Sequence, residues 1–271
     1  MEISIIINNY KTKGLLKQCL RGIYAYPPSV DYEIIVVDNN SKDGSVEIVK
    51  EQFKQVKLIE ARENLGHHKG NNLGIKNSSG RYILILNTDI ALLDNSVDKM
   101  YQFMESHQAA ALVGPKLKNP DGSTQLSCMR FPSKLVPIYR RTFLGNFAFA
   151  KKEIDYYLMK DFDHLSTREV DWILGACVLV RKAAIDKVGL MDEDLFLYFG
   201  DIAWCNKFWE FNYKVYYFVD ADIVHYHKRE SAQSGIFSFV FWIHIIDWIR
   251  YLKKYSSKPN AKKLQSISPR T

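Results

Sequence analysis

The segment RYILILNTDI, residues 81–90, contains the features that decide the fold. Five apolar residues, Tyr82 to Leu86, follow the turn-forming sequence Ser78-Ser79-Gly80 without a polar interruption. A short unbroken apolar run is typical of a strand that is buried on both faces of a parallel sheet. The strand ends at Asn87-Thr88-Asp89, and open α/β sheets bind their ligands at the carboxyl ends of strands. Asp89 is therefore either a ligand for a divalent cation or part of a turn that only ends the strand.

The rest of the chain extends this pattern in both directions. Apolar runs predict strands over residues 3–7, 32–37 and 56–60, and helical spacing predicts helices between them. Strands that alternate with helices indicate an α/β protein with a doubly wound, mostly parallel sheet and helices on both faces.

The pattern changes after about residue 112. A strand over residues 170–180 is interrupted by Gly175-Ala176, and a glycine inside a strand often marks the close approach of a ligand. Helices are predicted over 182–188 and 202–211, with a strand over 214–219. Residues 127–170 lack clear periodicity, and their aromatic and basic residues favour a mobile or partner-facing segment.

Composition limits the classes of protein that fit. A chain of 271 residues with 47% hydrophobic residues can bury a sizeable core, as one large or two small domains. The chain enters a strand at Ile3, so no signal peptide is expected and a cytoplasmic location is predicted. Four scattered cysteines without a CxxC pair indicate reduced, buried thiols: Cys19, Cys128, Cys177 and Cys205.

The net charge of +7 is local. Seven of the 37 Lys and Arg residues lie between Arg250 and Thr271, where there is no acid, and the remaining 30 equal the 30 acidic residues. The body is therefore neutral, which argues against nucleic acid as a partner and for a separate function of the basic tail.

Three carboxylates and one histidine lie at the ends of separate predicted elements: Asp38, Asp89, Asp201 and His225. Each is ordinary by itself. Asp38 and Asp201 also fit turns or helix caps, and His225 fits a core or surface histidine as well as a ligand.

Taken together and in order, the motifs resemble the inverting family 2 glycosyltransferases with a GT-A (Rossmann-like) fold, particularly the rhamnosyltransferase-like branch. The resemblance covers roughly residues 3–230. It is carried by Ile6–Tyr10, Ile35–Ser45, Glu63–Gly66, Gly70–Gly74, Leu86–Asp89, Val113–Pro115, Asp121–Ser123, Gly175–Cys177, Leu197–Asp201 and His225.

The resemblance implies roles for these residues. Asp38 would accept a hydrogen bond from the imide N–H of uracil or thymine, with Asn9 and Tyr10 beside the base. Asp89 would hold Mg²⁺ or Mn²⁺ against the diphosphate, and His225 would contact the metal or a phosphate. Further contacts with the nucleotide sugar are implied for Asn40, Gly66, Asn71, Asn87, Thr88, Gly175 and Ala176.

Asp201 would be the general base that deprotonates the acceptor hydroxyl. The resemblance also implies a GT-A domain over residues 1–230, with a nucleotide-binding half (1–112) and an acceptor-binding half (113–230). Two departures from the family pattern stand out. The usual Glu-Asp-x-Asp is Gly200-Asp201-Ile202-Ala203, and His67-His68-Lys69 replaces small and aromatic residues. The histidine pair fits a metal site or an exposed helix start, and the helix start is favoured.

Residues 231–271 are expected to form a helix and a basic tail. The apolar run 236–249 is shorter than a membrane span of roughly 20 residues. Helical spacing places His244, Asp247, Arg250 and Lys254 on one face, and Trp242, Ile245, Ile249 and Leu252 on the other. This amphipathic pattern predicts a helix that lies on an anionic membrane and is not needed for catalysis. The alternative is a helix that packs against the body or in a homodimer.

The leading hypothesis is a metal-dependent, inverting glycosyltransferase, peripheral on the inner face of the cell membrane. It would move a sugar from a dTDP- or UDP-sugar to a glycan, in particular a lipid-linked glycan of a bacterial surface polysaccharide. A Rossmann oxidoreductase is disfavoured because Asn8–Gly14 contains no GxGxxG, and a nucleotidyltransferase is disfavoured because no Gly-rich phosphate loop follows the first strand. A catalytically weak or inactive nucleotide-sugar-binding scaffold is the alternative that Gly200 and Ala203 keep open.

Overall fold

The computed structural model describes residues 1–226 and 238–255. Its first half alternates strands and helices as the apolar runs predict. The elements are β1 Ile3–Asn9, α1 Lys13–Ala25, β2 Tyr32–Asp38, α2 Ser45–Gln52, β3 Lys57–Glu60, α3 Gly66–Lys76 and β4 Tyr82–Leu86.

The second half is less regular, although it completes the same sheet. Its first elements are β5 Ile90–Leu92, α4 Ser96–Ser106, β6 Ala110–Lys118, β7 Cys128–Met129, α5 Val136–Tyr139, a 3₁₀ turn Phe143–Asn146 and α6 Ala148–Tyr157. They are followed by β8 Arg168–Glu169, β9 Trp172–Ile173, β10 Cys177–Arg181, α7 Lys182–Val188, α8 Gly200–Glu210, β11 Lys214–His225 and α9 Phe239–Tyr255.

One nine-stranded sheet organises these elements, in the order β3-β2-β1-β4-β10-β6-β11-β5 with β8 beside β11. The strands β3, β2, β1 and β4 are parallel. Beyond β4 the sheet is mixed, because β10 runs antiparallel to both of its neighbours and β11 runs parallel to β6. The predicted boundary at residue 112 falls within β6, so the two halves share one sheet.

Helices cover both faces of the sheet, as the doubly wound prediction requires. Successive residues of a strand point to opposite faces, and Ile5 and Ile7 belong to one hydrophobic cluster whereas Ile6 belongs to the other. Leu16 of α1 packs in the first cluster and Trp204 of α8 in the second. The predicted α/β fold class is therefore confirmed.

Residues 127–170 are structured, which corrects the expectation of a mobile segment. They contain α5, α6 and β8, and β7 pairs with β9 in a small second sheet. The segment still exposes large aromatic side chains, among them Phe143, Phe147 and Phe149. The segment consists of short elements joined by turns, so that no single helical or strand period runs through it.

The helix α9 packs against the body, and the structure corrects the assignment of its faces. The buried residues are Ile243, Asp247, Tyr251 and Tyr255, so Asp247 faces the protein interior rather than solvent. Within the part of the chain that the structure describes, no helix is long and apolar enough to cross a membrane. Residues 227–237 and the basic tail after Tyr255 lie outside the described residues.

Candidate active site

The strand ends bring Asp89 and His225 together. β5 and β11 are antiparallel neighbours with His225 opposite Ile90, and His225 Nε2 lies 3.3 Å from Asp89 Oδ2. The other ring nitrogen, Nδ1, lies 2.7 Å from Gln125 Oε1. Because that amide oxygen accepts, Nδ1 carries a proton, and the other ring nitrogen, Nε2, faces a carboxylate oxygen. Two electron-rich atoms that face each other in this way fit a cation or a proton between them.

The histidine and the carboxylate account for only part of a metal coordination shell. Among residues 1–226 and 238–255, no group of three His, Cys, Asp or Glu side chains is arranged to hold a metal ion. A cation at Asp89 and His225 would therefore need oxygen ligands from a bound molecule or from water.

Asp38 lies at the end of β2 and is buried. Asn9 Nδ2 donates to Asp38 Oδ2 at 2.7 Å, and the Ser41 backbone N–H donates to Oδ1 at 2.9 Å. Each carboxylate oxygen has a further lone pair, so Asp38 can still accept a hydrogen bond from a ligand. The neighbouring Asn40 has a positive φ of 60°, which turns the chain away from the strand.

A hydrogen-bonded chain connects Asp38 with the segment that carries Asp89. Thr12 Oγ1 donates to Asn9 Oδ1 at 2.7 Å and lies 3.0 Å from Thr88 Oγ1. Tyr10, 42% exposed, borders the same strand end, and the Lys11 ammonium lies 5.2 Å from the centre of its ring. Asn9, Tyr10, Asp38 and Thr88 therefore lie close together in the structure.

The start of α3 lines the same edge of the sheet. Gly66 has a φ of +79°, and a Cβ at this position would lie less than 3.0 Å from Phe196 O. Glycine is therefore required by both the backbone conformation and the close approach. Asn71 is buried and lies 3.1 Å from His67 Nε2, while its Oδ1 is buried with no hydrogen-bond partner among the described residues. An orphaned acceptor of this kind fits a donor from a ligand.

His67 and His68 lie in the first turn of α3, as the favoured expectation has it, but neither is exposed, which corrects that part of the expectation. His68 is buried, and its Nδ1 lies 2.7 Å from Leu195 O. Because a carbonyl only accepts, Nδ1 carries the proton. Loss of water contact lowers the pKa of His67 to about 3, the neighbouring His68 adds to this, and Asp89 opposes it. Burial also lowers the pKa of His68, so both rings are neutral at pH 7.

Asp201 lies in the first turn of α8. Its Oδ2 accepts from the Gly175 N–H at 3.3 Å and its Oδ1 accepts from the Ile202 N–H at 2.9 Å. Burial raises the pKa of this carboxyl, an effect that His68 opposes. The Asn87 N–H donates to Ala176 O at 2.8 Å, so the end of β4 is connected to the turn that holds Asp201.

The close approach of His68 explains why position 200 is a glycine. A Cβ there would lie less than 3.0 Å from Nε2, Cδ2 and Cε1 of His68. The imidazole thus occupies the volume that any side chain at position 200 would need. The two departures noted in the sequence, at residues 67–69 and at residue 200, meet at one place in the structure.

Sequence reasoning missed several residues that support this site. Thr12, Ser41 and Gln125 lie in loops where no periodic signal identifies them. Asp247 carried a usable signal, because it is the one carboxylate of an otherwise apolar and basic helix.

Comparisons with known proteins identify the family of the chain. The family model described as Glycosyl transferase family 2 matches residues 4–189, which is more than half of the chain. The chain therefore belongs to glycosyltransferase family 2, and the predicted enzyme class is confirmed.

Relatives extend beyond the matched segment. An N-acetylglucosaminyl-diphospho-decaprenol L-rhamnosyltransferase of Mycobacterium tuberculosis is 26% identical over 210 residues, which cover 73% of this chain and 67% of that protein. The crystal structure of S. aureus TarS 1-349 in complex with UDP matches with a TM-score of 0.55 at 20% identity, covering 81% of this chain and 60% of that one. GalNAc-T7 with UDP, GalNAc and Mn²⁺ matches with a TM-score of 0.67 at 13% identity, covering 93% of this chain and 48% of that one.

These matches support the fold and the family. The structural likenesses confirm the GT-A fold, and the sequence match confirms the resemblance to the rhamnosyltransferase-like branch. The chain spans about two thirds of the rhamnosyltransferase and 60% of the TarS chain.

Proposed function

We propose that this chain is a metal-dependent, inverting glycosyltransferase that uses a UDP- or dTDP-sugar. One observation carries the proposal: Asp38, the pair Asp89 and His225, and Asp201 lie at one edge of the sheet and are joined by the contacts described above. These are a base-recognition carboxylate, a cation site and a proton acceptor, the three functions that the reaction requires.

The nucleotide would bind over the end of β2. Asp38 keeps an acceptor lone pair for the imide N–H of uracil or thymine, and Tyr10 offers an exposed ring beside it. Asn9 and Ser41 hold the carboxylate at a fixed orientation. Asp38 and Tyr10 in this arrangement would not distinguish uracil from thymine, so the proposal covers both UDP and dTDP.

The diphosphate would bind beside Asp89 and His225. These two side chains would hold Mg²⁺ or Mn²⁺, and Gln125 would fix the tautomer of the histidine. When bound, the cation neutralises the charge of the diphosphate leaving group. Asn87, Thr88, Gly66 and the unpaired oxygen of Asn71 would line the sugar and phosphate side.

Asp201 would take the proton from the acceptor hydroxyl. Burial raises the pKa of its carboxyl, which makes it a stronger base than an exposed aspartate. The two N–H groups of Gly175 and Ile202 hold its oxygens in place, with Ala176 beside them. An attack on the anomeric carbon from the side opposite the diphosphate inverts the configuration in one displacement.

The acceptor proposed is a glycan, in particular a lipid-linked glycan of a bacterial surface polysaccharide. The relative from M. tuberculosis supports this, because its name gives an N-acetylglucosaminyl-diphospho-decaprenol as its substrate. The outward face of α9 also supports it. Phe239, Trp242, Ile246 and Ile249 are 44–72% exposed there, and the sequence places a basic tail behind them. We propose that this face lies on the inner surface of the cell membrane.

The alternative remains a nucleotide-sugar-binding scaffold that transfers no sugar. Gly200 and Ala203 favour it, because both lack the carboxylates found at these places in the family. Asp201 favours the enzyme, because its two backbone hydrogen bonds and raised pKa suit a base.

Turnover of a panel of UDP- and dTDP-sugars, with Mn²⁺ or with a chelator, tests the proposal. We expect release of UDP or dTDP that stops when the chelator removes the metal. In calorimetry, Asp89→Ala should lose metal-dependent binding of the nucleotide, because the diphosphate is no longer neutralised. The matched control is Asp220→Ala, an exposed acid of β11. Unchanged affinity and metal dependence in Asp89→Ala would reject Asp89 as the ligand, and donor binding without turnover would favour the scaffold.

A further inference from the structure

Asp247 is a buried carboxylate that accepts its hydrogen bonds from the loop before Asp201. The side chain is 0% exposed. Its Oδ1 accepts from the Phe196 N–H at 3.0 Å, and its Oδ2 accepts from the N–H groups of Leu197 and Tyr198 at 2.8 and 3.0 Å. Arg250 of the same helix places Nη1 3.7 Å from Oδ1. A buried carboxylate is stable only when its oxygens are satisfied, so helix and loop depend on each other.

The start of α3 holds the same loop from the other side. The imidazole of His68 donates from Nδ1 to Leu195 O at 2.7 Å, and the His67 backbone N–H donates to Phe196 O at 2.7 Å. The carbonyls of residues 195 and 196 thus bond to α3, while the N–H groups of residues 196–198 bond to α9. The loop is fixed in the space between these two elements.

The last loop residue, Phe199, connects this arrangement to the candidate base. It has a φ of +66°, a conformation that is uncommon for a bulky residue and that persists only when the surroundings enforce it. Two side chains of α9 contact its ring. The ring of Tyr251 stacks on it with the ring centres 5.5 Å apart, and the centre of the His244 ring lies 5.0 Å from the centre of the Phe199 ring. Phe199 is the residue before α8, whose second residue is Asp201.

We propose that α9 belongs to the catalytic centre, and that Asp247 is a positioning residue that fixes Asp201 for proton transfer. The proposal rests on the proposed role of Asp201 as general base. Asp247 acts through the backbone of residues 196–199 and touches no substrate. Deletion of residues 236–271 would remove Asp247, the partner of three loop N–H groups. We therefore expect this deletion to reduce transfer, in place of the expectation that transfer is unaffected.

The test uses the full chain with Asp247→Asn and Asp247→Ala. Both variants remove the negative charge that lies next to the N–H groups of residues 196–198. The alanine variant also removes every hydrogen-bond acceptor for these N–H groups. We expect kcat to fall by about 10-fold to 100-fold, the cost of a small misplacement of a catalytic group. The KM and Kd of the donor should change by less than about twofold, because Asp38 and Asp89 are held by other contacts. Amide exchange at residues 196–198 should accelerate in the absence of substrate.

Asp186→Asn is the matched control, because Asp186 is a carboxylate of α7 with 64% of its side chain exposed. It should match the parent protein in kcat and exchange. Wild-type kcat in both Asp247 variants, or a loss of donor binding as large as the loss of kcat, would overturn the proposal. In the second case Asp247 would serve general folding.

Asp201→Asn separates this inference from the proposed function. If Asp201→Asn turns over at the wild-type rate, the base assignment fails and the positioning role fails with it. If Asp201→Asn is inactive while both Asp247 variants keep their kcat, only the positioning role fails.

Discussion

At the scale of single residues, the contact between His68 and Gly200 leaves no space for a side chain at position 200. A Cβ at position 200 would overlap three ring atoms of a buried histidine whose Nδ1 is bonded to Leu195 O. The ring cannot move without breaking that bond. We therefore expect Gly200→Ala to lose about 1–3 kcal/mol of unfolding free energy, as for overpacked cores, and at least about 10-fold in kcat. Urea unfolding and steady-state kinetics measure both.

Two further variants interpret that result. His68→Ala combined with Gly200→Ala removes the overlap and should recover part of the lost stability. Gly22→Ala is the control, because a Cβ at position 22 of α1 meets nothing within 4 Å. A Gly200→Ala protein with the stability and kcat of the parent would contradict this prediction, because it would show that the His68 ring moves aside without cost.

Asp201→Asn tests the base directly. The carboxamide keeps the size of the side chain and an oxygen for one backbone N–H, but it cannot accept the proton. We expect turnover to fall by about 100-fold or more, with donor binding nearly unchanged. Asp186→Asn is the control, because Asp186 lies on the exposed side of α7 with 64% of its side chain exposed. Wild-type turnover in Asp201→Asn would move the search to Asp192, Glu193 or Asp194.

The positions of the candidate site residues at strand ends could be predicted from the sequence. Asp38, Asp89 and His225 follow strands whose carboxyl ends must meet at one edge, so their position was predictable from order alone. His68 and Asp247 were not predictable in this way. Their burial depends on contacts with residues 195–200, about 130 and 50 positions away, and periodicity carries no information about such pairs.

At the scale of elements, α9 shows what an amphipathic pattern can predict. Helical spacing grouped Asp247 with Arg250 and Lys254, whereas only Asp247 of these three residues is buried. Asp247 faces the interior of the protein, because the backbone N–H groups of residues 196–198 donate to its carboxylate there. Among the residues expected to form the apolar face, Trp242 and Ile249 remain exposed at 55% and 44%.

The exposed stripe of α9 should bind anionic vesicles. Trp242 and Ile249 make no essential contribution to the buried face, so Trp242→Ser with Ile249→Ser should keep the fold. Each large side chain that leaves water contributes about 1.5–3 kcal/mol when fully buried, so we expect vesicle affinity to fall at least about 10-fold. Raising salt should weaken binding only in part, because only the basic residues are screened.

Cosedimentation measures this affinity, and Phe211→Ser is the control because Phe211 is 52% exposed and belongs to the end of α8 rather than to α9. Parent protein that stays in solution with anionic vesicles at low salt would contradict the prediction. If light scattering then shows a dimer that the double variant loses, the stripe is a contact between two copies of the chain.

At the scale of the whole molecule, the parallel half was the predictable part. Its strands are short, apolar and regularly spaced, so that each is recognised locally. The mixed half was harder to predict, because β10 follows a long excursion through α5 and α6 before it inserts between β4 and β6. The direction of such a strand depends on the path of the intervening chain, which apolar patterns do not encode.

The histidines should make the stability of the whole chain depend on pH. Burial lowers the pKa of His67 and His244 to about 3, and lowers the pKa of His68 and His164 as well. The unfolded chain then binds more protons than the folded chain once the pH falls below the ordinary histidine pKa of 6.5. The free energy of unfolding should therefore decrease from about pH 6.5 downward, by at most about 1.4 kcal/mol per pH unit for each histidine.

Two carboxyl groups act in the opposite direction. Burial raises the pKa of Asp171 and of Asp201, so acidification favours the folded state at these two sites. Carboxyl groups with lowered pKa, such as Asp161 with its Arg130 partner, matter only below about pH 4. Four histidines oppose two carboxyls, so we expect a net loss of stability between about pH 6.5 and pH 5. Urea unfolding across this range measures it, and His244→Leu should flatten the slope because it removes one of the four groups. Stability that stays constant or rises on acidification would mean that the histidine rings take up protons without opening the structure.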